Sequence, residues 1–393
     1  MTRQTSSAGL RSPRRPSADM ERRALVVTVV HNPNDARIRH REISALLAAG
    51  WAVTYAAPFS GYDLDAEPPA AGLNTVDLPR ARGRRRIAAL RAARRLLHEQ
   101  ARDHDVVLLH DPELLLALPG LALPPIIWDV HEDTPAAVTL KPWLPKLLRR
   151  PVATAVRAVE QLASRRVSLL LAEESYRDRF HGEHLVVPNS VRVPDQITAP
   201  SDRLVVYLGH VTLARGAAEL IRVGQQVAEA TNGDTQLLII GDADAAARRL
   251  LIPAVEAGQV RWAGFVPSDQ ALAMLPGALA GLALLHDESN YGWSLPTKII
   301  EYMAYGIPVI TTPLPEAKRI VQDAGAGVVV GFGDADAVVK EVLRLKADPP
   351  LRTAYGSAGH EAAAQRHDWR RQSVAFVNEV SRIAREGAGA QPR

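Results

Sequence analysis

Short apolar runs that alternate with helix-length segments constrain the fold of this chain more than any other feature. Residues 24–30 form the first run, which is rich in Val and precedes a polar loop. Residues 38–49 then have helical spacing up to Gly50, and residues 51–56 form a second apolar run. Continuous β-branched runs are typical of strands buried on both faces of a parallel sheet. Because this strand-loop-helix-strand unit recurs, we predict an α/β fold with doubly wound parallel sheets.

The length of the chain and a polar stretch that begins near residue 188 predict two domains. A chain of 393 residues exceeds the size at which a single hydrophobic core stops growing. We predict strands at residues 24–30, 51–56, 106–109, 126–128, 168–172 and 185–187, and then at 204–208, 237–240, 260–262, 281–285, 309–311 and 327–330. The predicted organisation is a disordered basic tail (1–23), an N-terminal domain (24–190), a linker (191–202), a C-terminal domain (203–366), a final helix (367–385) and a disordered tail (386–393).

Composition excludes several classes of chemistry. The sequence contains no Cys, which rules out thiol catalysis, disulfides and zinc-thiolate sites, and which fits a cytoplasmic location. No apolar run reaches the ~18–20 residues that are needed to span a bilayer, and we expect no signal peptide. The net charge of +4 arises mostly from clusters of Arg.

One segment of the second half carries chemistry that suits an activated sugar. Residues 294–310 join a loop with Lys298, a short apolar helix with Glu301, a glycine turn and a buried strand. A carboxylate accepts hydrogen bonds from two vicinal sugar hydroxyls at once, whereas a helix N-terminus and a Lys suit phosphate. These residue types in this order predict a site for a nucleotide-sugar.

Polar side chains also follow strands of the first half. His110 and Asp111 follow residues 106–109, His131 follows residues 126–128 among carboxylates, and Asp35 and Arg37 lie on the first strand-helix loop. Ligands of doubly wound folds bind at the carboxyl ends of the strands, where the strand order reverses. We therefore predict His131, Asp35, Arg37 and His110 as catalytic residues, with His131 held in one tautomer to contact the donor sugar or the acceptor.

Several motifs, in this order, resemble those of the retaining family 4 glycosyltransferases of GT-B fold. They are Asn34-Asp35-Ala36-Arg37-Ile38 with Glu42, His110-Asp111-Pro112-Glu113-Leu114-Leu115, Asp129-Val130-His131-Glu132-Asp133, Val187-Pro188-Asn189-Ser190-Val191, Tyr207-Leu208-Gly209-His210 with Arg215-Gly216, and residues 294–310. The resemblance covers residues 24–383. It implies two Rossmann-like domains that face a cleft, with a C-terminal helix that crosses back to the N-terminal domain.

The resemblance also implies roles for residues of the C-terminal domain. Glu301 would bind the donor ribose, Arg215 the donor diphosphate, and the backbone around Val266 the base. The donor-binding residues that we predict are Gly209, His210, Arg215, Val266, Lys298 and Glu301.

This chain departs from the family pattern in three places. Glu301 matches the second Glu of the family's Glu-x7-Glu motif, but the first Glu is missing. Its position holds Trp293, or Tyr291 if the alignment shifts, and Asp287 and Glu288 upstream are the candidates to replace it. The Gly-Gly pair of the first loop is absent, and His210 occupies a position that is usually Arg. Residues 241–244 read Gly-Asp-Ala-Asp, and we interpret them as a turn after a strand and not as a metal motif.

The resemblance implies transfer of a sugar from a nucleotide-diphosphate-sugar to an acceptor hydroxyl, with retention of configuration. The acceptor would be a cell-surface polysaccharide, a glycolipid or a secondary-metabolite glycoside. Side chains would stabilise the leaving diphosphate, so we expect no bound cofactor and no required metal. A sugar-nucleotide epimerase on the same fold and a non-catalytic partner subunit stay open as alternatives.

Two basic segments, residues 80–102 and 140–166, combine Arg with apolar residues. Such segments either lie on anionic lipid or pack as surface helices with solvated Arg, and both interpretations stay open. Peripheral contact with the inner face of the plasma membrane and a lipid-linked acceptor are therefore expectations. Nucleic acid is not an expected partner, because aromatic residues are not interleaved with the Arg runs.

Overall fold

The computed structural model describes residues 22–66, 70–131, 133–139, 145–288, 291 and 296–390. The N-terminal half forms a seven-stranded parallel sheet of order β3-β2-β1-β4-β5-β6-β7. Its strands are β1 (Arg23–Val27), β2 (Ala52–Ala57), β3 (Leu73–Asp77), β4 (Val106–Leu109), β5 (Ile126–Val130), β6 (Ser168–Leu171) and β7 (Leu185–Val186). The described helices of this half are α1 (Ser44–Ala48), α2 (Arg86–Gln100), α3 (Thr134–Thr139) and α4 (Lys146–Ser164).

The C-terminal half forms a six-stranded parallel sheet of order β10-β9-β8-β11-β12-β13. Its strands are β8 (Leu204–Leu208), β9 (Gln236–Ile240), β10 (Arg261–Trp262), β11 (Ala280–Ala283), β12 (Val309–Thr311) and β13 (Gly327–Val329). Its helices are α5 (Ala217–Ala230), α6 (Ala245–Glu256), α7 (Ser268–Ala273), α8 (Thr297–Ala304), α9 (Pro315–Ala324), α10 (Ala335–Ala347) and α11 (Pro349–Arg366), and α12 (Trp369–Ala390) follows. The predicted fold of two doubly wound α/β domains is confirmed.

The strand order reverses between β1 and β4 in the first sheet and between β8 and β11 in the second. At such a point the connecting helices leave to opposite faces, so a crevice opens at the carboxyl ends of the two strands. β1 and β4 are in register with Val27 beside Leu109, which brings the loops after both strands to one edge. These two edges position the candidate site.

The last helix joins the two halves. Phe376, Val380 and Ile383 of α12 are buried in the apolar cluster that lines one face of the first sheet. Arg22 Nη1 donates to Ser381 Oγ over 3.1 Å. Burying three large apolar side chains contributes roughly 1.5–3 kcal/mol each, so α12 is an integral part of the N-terminal domain, as predicted. No described helix is both long enough and apolar enough to cross a membrane.

Several details differ from the predictions. Strand β3 was not predicted, and the helix expected at residues 38–49 begins as a π-helical turn, Ile38–Ile43, before α1. The final helix continues to Ala390, past the predicted start of a tail at residue 386. Strand β1 begins at Arg23, inside the predicted first tail, and residues 1–21 and 391–393 lie outside the described residues.

Candidate functional site

A buried ion pair forms the base of the site in the N-terminal domain. Arg37 donates from Nε and Nη2 to the two oxygens of Asp129, each over 2.7 Å, and from Nη1 to the carbonyl of Val187 over 2.7 Å. Burial alone would raise the pKa of the Asp129 carboxyl, but Arg37 holds that pKa well below its usual range. Arg37 is 5% exposed, so it ties the first loop to the end of β5 instead of facing solvent.

Asp111 organises the loop after β1 from below. Its Oδ2 accepts from Thr28 Oγ1 over 3.0 Å and from the backbone N–H of Val29 over 2.5 Å. Its Oδ1 lies 3.4 Å from His31 Nε2. Asp35 lies on the other side of His31, with 3.9 Å between Asp35 Oδ2 and His31 Nδ1. Asp35 and His31 are both partly exposed and form the rim of the site.

His110 and His131 meet above Asp129. His131 Nε2 contacts Asp129 Oδ2, and His110 Nδ1 lies 3.0 Å from His131 Nε2 and 3.5 Å from Asp129 Oδ2. An ionised carboxylate only accepts hydrogen bonds, so His131 must carry a proton on Nε2 and, when neutral, leaves Nδ1 free to accept. His131 is partly exposed whereas His110 is buried. The structure therefore places His131 and Asp35 where a ligand can touch them, and Arg37 and His110 beneath them.

Within the described part of the chain, His110, Asp129 and His131 form a group of possible metal ligands. One ligand atom from each of His110, Asp129 and His131 lies within 4.8 Å of the others. Arg37, however, donates to both oxygens of Asp129, so a metal ion would stand beside a fixed guanidinium cation.

Two glycines shape the predicted phosphate loop of the C-terminal domain. Gly241 has φ +139°, and a Cβ there would lie 2.2 Å from the carbonyl oxygen of Gly209. Gly216, just before α5, has φ +87°, and a Cβ there would lie 2.6 Å from the carbonyl of Leu284. No other residue fits these positions, because a side chain would meet backbone atoms that cannot move aside. The loop of residues 209–216 is thereby held against the ends of β9 and β11.

Lys298 is a buried cation without a hydrogen-bond partner. Its Nζ lies 3.6 Å from the centre of the Tyr207 ring and beside Gly209, and among the described residues no acceptor satisfies it. Burial, and next the neighbouring Arg215, hold the pKa of the Lys298 amine well below its usual value. A buried amine that lacks an acceptor is ready to bind an anion that brings both acceptor and charge.

Arg215 and His210 lie on the same loop. Arg215 Nε donates to Tyr291 Oη over 3.5 Å, and its guanidinium lies 5.9 Å from the centre of that ring. The side chain of His210 is exposed, and its carbonyl accepts from Tyr207 Oη over 3.0 Å. The structure thus brings Gly209, Arg215 and Lys298 together and leaves His210 at the rim.

Glu301 connects the two domains. It lies one turn after Lys298 on α8, and burial raises the pKa of its carboxyl, an effect that Arg41 and then Lys298 oppose. Arg41 belongs to the π-helical turn of the N-terminal domain and also interacts electrostatically with Asp35 and Glu42. Arg41 therefore links Glu301 electrostatically to the charged groups of the N-terminal domain.

The remaining predicted residues lie near the same edge. Val266 is partly buried and follows Phe265, which is 72% exposed. Asp244 caps α6, because its Oδ1 accepts from the N–H of Ala247 over 2.7 Å. Asp242 binds Arg248. These contacts agree with the interpretation of residues 241–244 as a turn.

Asp287 and Glu288, the candidates to replace the missing Glu, are exposed. Trp293, together with Ser294 and Leu295 of the predicted motif, lies outside the described residues. The part that Trp293, Ser294 and Leu295 have in the predicted site is therefore not described by the structure.

Arg41 and His31 are members of the site that were not predicted from the sequence. Arg41 lies in the predicted first helix among other cations, and nothing in its neighbourhood distinguishes it. His31 follows the apolar run of β1 directly, as His110 follows β4, and that position is the signal that could have identified it.

Comparison with known proteins adds the family context. Residues 194–362 match the family model described as glycosyl transferases group 1. The phosphatidyl-myo-inositol mannosyltransferase of Mycobacterium leprae (strain TN) is 27% identical over 310 residues, which cover 74% of this chain and 76% of that protein. The solved structure of sucrose-phosphate synthase from Thermosynechococcus elongatus matches with a TM-score of 0.70 at 17% identity, over 95% of this chain and 100% of that one. WaaG, a glycosyltransferase involved in lipopolysaccharide biosynthesis, matches with a TM-score of 0.64 at 15% identity, over 90% and 98% of the two chains.

Proposed function

We propose that this chain, a glycosyltransferase of the GT-B fold, transfers a hexosyl group from a nucleotide-diphosphate-sugar to an acceptor hydroxyl, with retention. The observation that carries the proposal is the arrangement around Lys298. The buried Lys298 amine has no acceptor among the described residues and interacts electrostatically with Arg215 and Glu301, and Arg41 of the other domain also interacts with that carboxylate. A nucleotide diphosphate supplies what each group lacks, since its phosphates are anionic acceptors and its ribose hydroxyls are donors.

In this proposal the C-terminal domain holds the donor. The ribose hydroxyls donate to Glu301, and the diphosphate lies among Lys298, Arg215 and the backbone at Gly209. Negative charge grows on the diphosphate as the bond between the anomeric carbon and the phosphate oxygen breaks. Lys298 and Arg215 stabilise that charge in a site from which water is excluded.

The N-terminal domain presents the acceptor. His131 Nδ1 and Asp35 orient the acceptor hydroxyl, whose oxygen forms the new bond to the anomeric carbon. The hydroxyl proton passes to the departing phosphate oxygen on the same face of the sugar, so charge and protons balance without a protein nucleophile. Closure of the two domains over the donor excludes water and favours transfer over hydrolysis.

A lipid-linked acceptor is the second part of the proposal. Its support is a pocket of about 810 Å³ whose lining includes one carboxylate, Asp77, and four cations, Arg80, Arg82, Arg84 and Arg85. Arg82, Arg84 and Arg85 are exposed. Cations at the mouth of a pocket attract the anionic headgroups of a membrane leaflet, and the relative from Mycobacterium leprae is named for a phosphatidylinositol acceptor.

An apolar surface lies on the same domain. Residues 112–117 contact both α2 and α4, and all three segments expose large apolar side chains. Ile87 is 63% exposed, Leu116 57%, Leu147 91% and Leu162 59%. Exposed apolar side chains beside cations are typical of a surface that lies on a bilayer.

The transferase activity is tested with purified protein, a panel of nucleotide-diphosphate-hexoses, and acceptors that include phosphatidylinositol and non-lipid glycosides. We expect nucleotide diphosphate to be released only when a suitable acceptor is present, together with a product heavier by one hexose. An epimerised nucleotide-sugar formed without acceptor would instead favour an epimerase. No release with any acceptor would favour a non-catalytic subunit.

Membrane contact is tested by sedimentation with vesicles that contain anionic lipid. The double variant Arg84→Ser/Arg85→Ser should bind about 30-fold more weakly, because each basic residue near an anionic surface contributes about 1 kcal/mol. Arg222→Ser/Arg344→Ser, on exposed helix faces of the other domain, is the matched control and should bind as the wild type does. Equal loss in both variants would mean non-specific attraction.

A further inference from the structure

Next to the group of Arg37, His110, Asp129 and His131 in the N-terminal domain lies a buried carboxyl group that the proposed reaction does not use. Glu42 is 0% exposed, and neither of its oxygens has a hydrogen-bond partner among the described residues. His110 Nε2, which is also buried and without a partner, lies 3.7 Å from Glu42 Oε2. This gap is too short for a bridging water and longer than a normal hydrogen bond, so a hydrogen bond between the two atoms requires a small rotation of the carboxyl.

Local geometry explains why Glu42 lies there. Its backbone N–H donates to the carbonyl of Arg37 over 2.9 Å, which is the hydrogen bond of a π-helical turn. In an α-helix, side chains five residues apart point to different faces, whereas a π-helical turn brings them to the same side. Glu42 Oε1 consequently lies 3.1 Å from Arg37 Nε. The π-helical turn therefore places two carboxyl groups, Glu42 and Asp129, beside one guanidinium.

One cation does not neutralise two buried carboxylates. Arg37 directs its Nε and Nη2 hydrogens to Asp129, so Glu42 lies close to the cation but receives no hydrogen bond from it. Burial, and next the negative charge of Asp129, raise the pKa of Glu42 well above its usual value, and these effects outweigh Arg37. Where two carboxyl groups share a site, the one with fewer hydrogen bonds keeps a proton.

We propose that Glu42 is a neutral carboxylic acid that donates a hydrogen bond to His110 Nε2 and so fixes the tautomer of His110. His110 then carries its own proton on Nδ1 and donates it to Asp129 Oδ2, 3.5 Å away, the oxygen that His131 Nε2 also contacts. The 3.0 Å contact between His110 Nδ1 and His131 Nε2 is then one between two donors that share an acceptor. Asp129 in turn holds His131 with Nε2 protonated and Nδ1 open to the cleft. Glu42 and His110 are thus positioning residues for His131, and a second negative charge beside Asp129 is avoided.

The charged and titratable groups around Glu42 agree with this assignment. Asp129 favours the neutral acid both by its charge and as a second acceptor for the Glu42 proton, Asp35 on the first loop also favours it, and Arg37 favours the anion. Arg41 also interacts with Glu42, but less strongly than with Glu301. Burial lowers the pKa of His110, so the proton stays on the carboxyl group and His110 accepts it as a hydrogen bond.

The protonation of Glu42 is tested directly by infrared spectroscopy of the protein without substrate. At pH 7 the wild type should show a protonated-carboxyl C=O band that Glu42→Gln lacks. Glu379→Gln is the matched control, because Arg382 lowers the pKa of Glu379 and its substitution should leave the band unchanged. The absence of any lost band in Glu42→Gln would overturn the proposal.

Nitrogen-15 NMR of the His rings tests the second step. The His110 signals should report a proton on Nδ1 in the wild type and in Glu42→Gln, because the amide N–H still donates to Nε2. In Glu42→Ala that donor is lost, and the His110 tautomer should change. An unchanged His110 spectrum in a folded Glu42→Ala variant would show that Glu42 does not fix the ring.

The effect on turnover rests on the proposed function, but the two spectroscopic tests do not. Glu42→Ala should lower kcat at least 10-fold with the donor KM unchanged, because the donor contacts lie in the other domain. Glu42→Gln should have the kcat of the wild type. At alkaline pH the activity of the wild type should fall because Glu42 ionises, whereas the activity of Glu42→Gln should not. A raised donor KM with unchanged kcat would contradict a positioning role for Glu42.

Discussion

Replacing Lys298 by Met should have opposite effects on the stability of the free protein and on its affinity for the donor. Met has a similar length and needs no hydrogen bond. In the free protein, a buried group without a partner costs about 1–3 kcal/mol, and Lys298→Met removes this cost. The variant also loses the contact with the Tyr207 ring, which destabilises it by about 0.5–2 kcal/mol. We therefore expect Lys298→Met to stabilise the unliganded protein by about 1 kcal/mol.

Donor affinity should fall in the same variant. A hydrogen bond from a charged donor to a phosphate contributes about 1.5–3 kcal/mol, so the Kd for a nucleotide diphosphate should rise about 10- to 150-fold. Urea denaturation measures the first effect and calorimetric titration the second. Lys346→Met is the control, because Lys346 Nζ already donates to Asp234 over 2.6 Å, and its substitution should not increase stability or change affinity.

The dependence on pH gives a further check of the same prediction. Lys298 has a lowered pKa in the folded protein, so the unfolded chain binds more protons between that value and the ordinary Lys pKa of about 10.4. Stability of the wild type consequently rises with pH across this window, and the advantage of Lys298→Met should shrink towards pH 10. A variant that is less stable than the wild type at pH 7 with unchanged affinity would refute the reasoning.

Two further predictions concern Arg37 and Arg41 of the N-terminal domain. Arg37→Met leaves Asp129 as a buried, uncompensated carboxylate and should cost about 3–5 kcal/mol of unfolding free energy; urea denaturation measures it, and a loss below 1 kcal/mol would contradict the assigned ion pair. Arg41→Ala removes the cation that opposes the raised pKa of Glu301, so that pKa should rise further. Because donor binding needs the ionised carboxylate, the variant should lose donor affinity at a higher pH than the wild type does as the solution is acidified. Titrations of donor binding from pH 5 to pH 8 measure this shift, and superimposable curves would show that Arg41 does not act on Glu301.

The strands of the central sheets could be predicted because their sequences report their own burial. Residues 106–109, 204–208 and 309–311 were predicted with the observed bounds, since continuous apolar runs occur in few other contexts. Strand β3 escaped prediction because it is an edge strand of mixed character, Leu-Asn-Thr-Val-Asp. Its place depends on pairing with β2, where Thr75 lies beside Tyr55, and not on a pattern of its own.

The layout of the site was less accessible from the sequence, because it depends on contacts between distant residues. The strand-end rule identified His110 and His131, and the motif after β11 identified Lys298 and Glu301. Arg37, which directly precedes the π-helical turn, has its partner Asp129 92 residues away in the sequence. Helix propensity is local and does not include such a partner.

The central claim, that Glu301 and the neighbouring cations bind a nucleotide-diphosphate-sugar in the cleft, is tested most directly by calorimetric titration of wild type and Glu301→Ala with a panel of nucleotide-diphosphate-hexoses. We predict that at least one member of the panel binds the wild type and that Glu301→Ala loses that binding while it unfolds at the same urea concentration. Equal affinity in the two proteins, or no binding of any member to the wild type, would contradict the account.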